Sequence, residues 1–89
     1  MKNYTRVRVR YTKPTEHAKS IGIKEGQVIA EFIYKIDNHA LALYQCRKDN
    51  PAYDERITLE ATTIDIEDER YKDLYRVLEE NEQVFDVED

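Results

Sequence analysis

The sequence is poor in the residues that mark several familiar classes of protein. Its 89 residues include no Trp, one Cys, two Pro and two Gly. A single Cys cannot form an internal disulfide, so we expect a reducing, cytoplasmic setting. Gly22 and Gly26 are too few for a glycine-rich nucleotide-binding loop. No apolar run approaches the roughly 20 residues that a membrane-spanning helix needs, and the first residues do not resemble a signal peptide.

Charged residues, in contrast, are abundant. They make up 37% of the chain against 40% hydrophobic residues, which is typical of a folded domain with a charged surface. We therefore interpret residues 1–89 as one domain. Residues 1–53 hold ten Lys/Arg and five Asp/Glu (+5), whereas residues 54–89 hold four and fourteen (−10), for the total of −5. Either the two parts neutralise each other, or the surface is bipolar and one pole binds a partner.

The first segment predicts a half-buried β-strand. Residues 4–12 alternate with a period of two, which places every second side chain on the same face. Pro14 ends the strand because it has no N–H to donate. Thr15 and Gly22 then fit the start and the stop of a single helical turn. One strand face holds Thr5, Val7, Val9 and Tyr11, and the other holds Tyr4, Arg6, Arg8, Arg10 and Thr12.

The most apolar part of the chain is residues 26–47, GQVIAEFIYKIDNHALALYQCR. We interpret it as a long β-hairpin, because residues 28–36 and 40–47 both alternate and the Asp37-Asn38-His39 segment suits a turn. Both strands carry apolar side chains on both faces. Something must therefore cover the outer face of this hairpin.

The second half of the chain predicts one more strand region and one helix. A strand from Tyr53 changes parity near Thr62-Thr63, which indicates a bulge or kink before a short strand. Residues 68–81 form the one convincing helix, and residues 82–89 form an acidic tail that is either a last strand or loose. The helix has a single apolar stripe at i, i+3, i+4 and i+7, made of Tyr71, Leu74, Tyr75 and Leu78.

Together these elements predict a mostly β (α+β) fold with about five short strands and one C-terminal amphipathic helix. The order of an N-terminal strand, a loop ending in Ile23-Lys24-Glu25-Gly26-Gln27-Val28, a long hairpin and a strand–turn–strand resembles the SH3-like small barrels. Such barrels are frequent among small accessory proteins of bacteria and their phages. The resemblance covers residues 3–67, and it implies a strongly bent sheet or barrel and a binding role.

Four residues of the first strand form the main candidate site for binding a partner. Three guanidinium groups about 6.5–7 Å apart on one strand face suit an acidic protein or, with Tyr4 stacking on a base, the phosphates of a nucleic acid. The alternative is cross-strand pairing with Asp65, Glu67 or Glu60. The four residues are Tyr4, Arg6, Arg8 and Arg10, and the second candidate patch is the acidic helix face of Asp68, Glu69, Asp73 and Glu80.

Residues with catalytic or metal-binding chemistry are sparse. Cys46 with His17 and His39 is the only possible nucleophile–base set, and we expect Cys46 to be a buried strand thiol and the histidines to be solvated. The acidic residues between Asp65 and Asp73 lack the spacing of a calcium loop, and we expect them to cap the helix. We predict no enzymatic activity, no metal and no cofactor.

The sequence is therefore interpreted as a small, non-enzymatic, cytoplasmic protein-interaction module, such as a regulator or inhibitor of a larger protein. Three alternatives remain open. The strand of Arg6, Arg8 and Arg10 binds nucleic acid; the acidic C-terminal third mimics nucleic acid; or the protein is a homo-oligomeric structural protein, such as a homodimer in which a second subunit covers the apolar hairpin.

Overall fold

The computed structural model describes residues 1–87 as an open four-stranded sheet with helices on both faces. The strand order is β3-β1-β2-β4; β1 pairs antiparallel with β2 and β3, and β4 pairs parallel with β2. The prediction of a five-stranded bent sheet or barrel with one helix is wrong, because residues 1–87 form an open sheet of four strands and three helices. In chain order, the elements are β1 (Asn3–Tyr11), α1 (Glu16–Ser20), β2 (Gln27–Tyr34), α2 (His39–Asp49), β3 (Ile57–Asp65), α3 (Glu69–Glu80) and β4 (Val84–Phe85).

The central strand is β1, and its predicted alternation is confirmed. Thr5, Val7 and Val9 are fully buried on the face that packs against α2. The buried Thr5 hydroxyl donates to the Ile36 carbonyl at 2.7 Å, so this polar group does not lose its hydrogen bond on burial. The arginines of β1 lie on the opposite face, as a strand period of two requires.

The second half of the predicted hairpin is wrong, because residues 39–49 form helix α2. The Asn38 side chain caps this helix by accepting a hydrogen bond from the Leu41 N–H at 3.1 Å. Ala42 and Cys46, one helical turn apart, are fully buried against Val7 and Tyr34. The segment ALALYQC alternates like a strand, but Ala, Leu and Gln are also strong helix formers. Packing against the sheet decides between the two.

The predicted kink at Thr62-Thr63 is also wrong, because β3 pairs with β1 without a shift of register from Ile57 to Asp65. Leu59 packs toward α2 and Ile64 toward α3, so the change of parity reflects a strand covered on both faces. The observed irregularity lies in β2 instead. Pairing with β1 shifts there, and Ile29 is left without a partner in the register.

Both remaining helices follow their predicted boundaries. Helix α3 has Asp68 and Asn81 as its caps, and its apolar stripe packs on Ile33 and Ile64. The short α1 is capped by Thr15, whose hydroxyl accepts from the Ala18 N–H at 3.1 Å. The Gly22 that follows α1 has a positive φ of 99°, which a glycine adopts without strain.

The end of α3 directs the chain back to the sheet. The Glu82 N–H donates to the Glu79 carbonyl at 3.1 Å and the Gln83 N–H to the Leu78 carbonyl at 2.8 Å, which is a Schellman motif. The Gln83 and Phe85 carbonyls then accept from the Ile33 and Lys35 N–H groups. Of the predicted tail 82–89, residues 84–85 thus form strand β4, and residues 88–89 lie outside the described residues.

The Schellman motif generates a stability prediction. Glu82 holds a φ of 59°, the left-handed region that favours glycine. We expect Glu82→Gly to raise the free energy of unfolding by about 0.5–1 kcal/mol, because the strain removed exceeds the added backbone entropy of the unfolded chain. Chemical denaturation at neutral pH would measure the difference.

The matched control for this substitution is Glu80→Gly, two residues earlier at the last helical position of α3. Glycine there lowers the free energy of unfolding by up to about 0.5–1 kcal/mol, since a helical residue gains nothing from the left-handed region and glycine adds backbone entropy to the unfolded chain. Equal effects of the two substitutions would contradict the assignment of the left-handed position.

Candidate protein-interaction surface

The three arginines of β1 lie in a row, and each of the two neighbouring strands carries one glutamate beside them. In the register of the sheet, Arg8 faces Glu31 of β2 and Glu60 of β3. The Glu31 Oε1 atom is 3.4 Å from Arg6 Nε and 3.8 Å from Arg8 Nε. Arg10 Nε donates to Glu60 Oε2 at 2.9 Å. Each arginine therefore has a carboxylate beside it, and the whole row keeps one positive charge in excess.

Only part of this pairing follows the predicted alternative. Glu60 was among the predicted cross-strand partners, whereas Glu31 was not. Asp65 instead accepts from the backbone N–H groups of Lys2 and Glu67, at 3.1 and 3.0 Å. Those backbone bonds lower the pKa of the Asp65 carboxyl group.

Helix α3 divides the predicted site of Tyr4, Arg6, Arg8 and Arg10 into a covered and an open part. The Tyr4 ring packs against Tyr75, with centroids 6.1 Å apart, and Lys2 Nζ lies 5.6 Å from its centroid. The Arg6 guanidinium lies 6.0 Å from the centre of the Tyr71 ring, and its side chain is only 14% exposed. The Arg8 and Arg10 side chains remain 35% and 32% exposed.

The part of the sheet beyond α3 forms two rows of side chains, which we name the open sheet face. One row runs across the strands as Glu31, Arg8 and Glu60, and the next as Val28, Arg10 and Thr58. Val28 is 37% exposed, although it is aliphatic. The open sheet face consists of Arg8, Arg10, Val28, Glu31, Thr58 and Glu60.

Of the charged groups of the open sheet face, Arg10 and Glu60 are fixed by hydrogen bonds. Besides its bond to Glu60, Arg10 donates from Nη1 to the Gly26 carbonyl at 3.0 Å. The hydrogen bond and the charge of Arg10 together lower the pKa of the Glu60 carboxyl group. The Glu31 Oε1 atom is buried and accepts no hydrogen bond from the described residues, so it contacts its two arginines as an ion pair only.

The second candidate patch, the acidic face of α3, is largely neutralised within its own helix. Asp68 Oδ2 is 2.9 Å from Arg70 Nη2, and Asp68 Oδ1 accepts a hydrogen bond from the backbone N–H of Arg70. Together, these two interactions lower the pKa of Asp68 to about 2. Glu69 and Asp73 lie 3.0 and 3.2 Å from Lys72 and Arg76. Glu80 is exposed in the last turn, where α3 has no basic residue.

The candidate catalytic residues occupy different settings. Cys46 is fully buried, as expected, but in α2 rather than in a strand, and burial raises the pKa of its thiol. His17 and His39 are exposed, and His39 Nε2 is 2.8 Å from the Thr63 hydroxyl. Residues 1–87 contain no group of three or more His, Cys, Asp or Glu side chains arranged to hold a metal ion. In the same residues, no helix has the length and apolar character to cross a membrane.

Sequence reasoning missed a depression of about 250 Å³ on the α2 side of the sheet. It lies where β1 ends, and the loop after α2 forms one wall. The signal in the sequence was Ile29, an aliphatic residue on the wrong parity for a strand buried on one face. The depression is lined by Tyr11, Ile29, Ala52, Tyr53, Asp54, Arg56 and Ile57.

Neither a family model, nor a curated protein, nor a solved structure matches this chain. The functional interpretation therefore rests on the geometry of the two candidate patches and on the open sheet face.

The Arg10–Glu60 contact predicts how the Glu60 carboxyl titrates. We expect Arg10→Gln to raise the Glu60 pKa toward its usual value near 4.5, because the charged donor is lost. Since the pKa is lowered in the folded state, the pair stabilises the fold above pH 4.5 and loses that effect as the pH falls. The chemical shift of the Glu60 carboxyl carbon, followed by NMR from pH 2 to pH 7, would measure its pKa in the unsubstituted protein and in Arg10→Gln.

Arg8→Gln is the matched control for this titration. Arg8 acts on Glu60 only through its charge, so its loss raises the Glu60 pKa less than the loss of Arg10. An equal or larger effect of Arg8→Gln would show that the 2.9 Å hydrogen bond is not the main cause.

Proposed function

We propose that this protein is a small, non-enzymatic, cytoplasmic interaction module that binds another protein through the open sheet face. The observation that carries the proposal is the arrangement of Arg8 and Arg10. Their side chains are about one-third exposed, and each lies beside a carboxylate on a neighbouring strand: Arg10 is hydrogen-bonded to Glu60, and Arg8 lies 3.8 Å from Glu31. Arginine is enriched at protein interfaces and among the residues that contribute most to binding.

Fixed side chains lower the cost of association. A free arginine loses considerable side-chain entropy when a partner immobilises it. Arg10 is already held by Glu60 and by the Gly26 carbonyl, so less freedom remains to be lost. Beside it, Val28 offers apolar area to the same partner. Rows of mixed charge with an aliphatic edge suit a protein surface of complementary charge pattern.

A nucleic acid is a less suitable partner for this surface. Glu31 and Glu60 lie on both sides of Arg8 and would repel phosphates. Tyr4, the proposed stacking residue, is engaged by Tyr75 and Lys2. The chain is also acidic overall, with a net charge of −5.

The non-enzymatic part of the proposal is supported by the state of the only thiol. Cys46 is buried among Val7, Tyr34 and Ala42, and its raised thiol pKa disfavours the reactive thiolate. The two histidines do not share this environment, since both are exposed.

The proposal is tested by affinity capture from an extract of the organism that encodes the protein, followed by binding assays with the purified captured protein. We expect Arg8→Glu to weaken binding at least about tenfold, because one reversed charge on a partly buried contact removes more than 1.4 kcal/mol. Binding should also weaken as salt rises, because charges contribute.

The matched control is Arg76→Glu, which makes the same charge change on the exposed side of α3. We expect it to leave the affinity unchanged. Equal losses for both variants would point to net charge rather than to the open sheet face. Recovery of nucleic acid instead of a protein, with binding lost in Arg8→Glu, would replace the proposal by the nucleic-acid alternative.

A further inference from the structure

The outer edge of β3 carries backbone groups that point away from the sheet. Two bonds fix this orientation: the Thr12 N–H donates to the Arg56 carbonyl at 2.9 Å, and the Ile66 N–H to the Lys2 carbonyl at 3.0 Å. In an antiparallel ladder, such bonded pairs recur at every second residue. The even-numbered residues of β3 therefore face β1, and the odd-numbered residues between them present their N–H and C=O groups outward: Leu59, Ala61 and Thr63.

At both ends of this edge, the chain itself bonds to outward backbone groups. The Ile57 N–H donates to the Asp54 carbonyl at 3.0 Å, and the Ile57 carbonyl accepts from Arg47 Nη2 at 3.4 Å. At the other end, the Asp65 carbonyl accepts from the Asp68 N–H at 3.0 Å. Between these ends, the outward groups of Leu59, Ala61 and Thr63 form one short and regular row in the middle of β3.

The opposite edge of the sheet is protected against pairing with another strand. There, β4 pairs with the end of β2, and a bulge at Ile29 interrupts the remainder. In contrast, β3 has nine residues, no Pro, no Lys and an unbroken register with β1. Its only charged side chain before the terminal Asp65 is Glu60, which Arg10 neutralises. The devices that normally block strand pairing are therefore present at one edge and missing at the other.

We propose that β3 pairs antiparallel with β3 of a second copy of this chain, which joins two sheets into one. A two-fold axis at Ala61 places this residue opposite itself and Leu59 opposite Thr63 of the second copy. By symmetry, Thr63 also lies opposite Leu59 of the second copy, which makes three pairs. Each pair exchanges two backbone hydrogen bonds, because all of these residues have outward N–H and C=O groups. Closed two-fold pairing of this kind is the commonest symmetry of homo-oligomers.

The side chains in this register support a second copy as the occupant. Glu60 lies opposite Thr62 of the second copy, so no two like charges face each other directly. Ala61 is small, and it sits on the two-fold axis, where it lies beside the same residue of the second copy without a steric conflict. Helix α2 runs along β3, with His39 near Thr63 and Arg47 near Ile57, so the helices of the two copies lie side by side on one face. The edge of β3 adjoins the open sheet face, because Thr58 and Glu60 belong to β3. The strand pairing uses backbone groups of β3 and does not involve Arg8, so neither proposal depends on the other.

Amide hydrogen exchange at several protein concentrations, with sedimentation equilibrium on the same samples, tests the pairing. We expect a dimer whose fraction rises with concentration. The amide protons of Leu59, Ala61 and Thr63 should become protected in proportion to that fraction, while those facing β1 are protected throughout. A monomer up to about 1 mM, near the upper limit of a specific weak complex, would overturn the proposal. A dimer in which the outward amides still exchange fast would do the same.

A pair of proline variants gives a second test. Ala61→Pro removes an outward N–H, which an edge strand tolerates. We expect it to weaken dimerisation at least about tenfold, because two hydrogen bonds across the axis are lost, with a small change in the monomer's melting temperature. Thr62→Pro is the matched control: it removes an N–H that bonds β1, so it should lower the melting temperature markedly. An unchanged dimer in Ala61→Pro would overturn the proposal, and the exchange data decide the matter if that variant fails to fold.

Discussion

The pairing of β1 with a strand on each side is the interaction on which the rest of the structure depends. Because β1 is central, its alternation sets the character of both faces of the sheet: Val7 and Val9 face α2, and the arginines face the side that α3 partly covers. Strands β2 and β3 do not pair with each other in the sheet. A change that removed β1 would therefore separate them and expose both helices' apolar stripes.

Two small cores, rather than one, follow from this arrangement. One surrounds Ala42 and Cys46 of α2, and the other surrounds Leu78 of α3. A 12-residue helix such as α3 is about 18 Å long, whereas a nine-residue strand such as β1 spans about 30 Å. Helix α3 cannot cover the whole second face. The open sheet face is thus a consequence of the short length of α3 relative to β1. Ion pairs among its charged side chains make its exposure compatible with a folded sheet.

The sequence was informative wherever one period dominated, as in β1 and in the apolar stripe of α3. It was misleading where two periods fit, because ALALYQC suits a strand and a helix alike, and only the packing of Cys46 against Tyr34 decides. The parity change in β3 was similarly ambiguous until the position of α3 was known. The arginine row could be predicted, but its partner Glu31 could not, since its place depends on pairing between β1 and β2 across the bulge at Ile29.

The uneven charge of the chain is only partly neutralised between its two parts. Glu60 does pair with Arg10 across the sheet, but Glu31 belongs to the same basic part as the arginines that it contacts. Most carboxylates in the first two turns of α3 pair with cations of that helix, whereas its end keeps Glu79, Glu80 and Glu82 near the negative pole of the helix dipole. Electrostatics therefore disfavours this helix end. The Schellman bonds and the pairing of β4 with β2 must hold it in place.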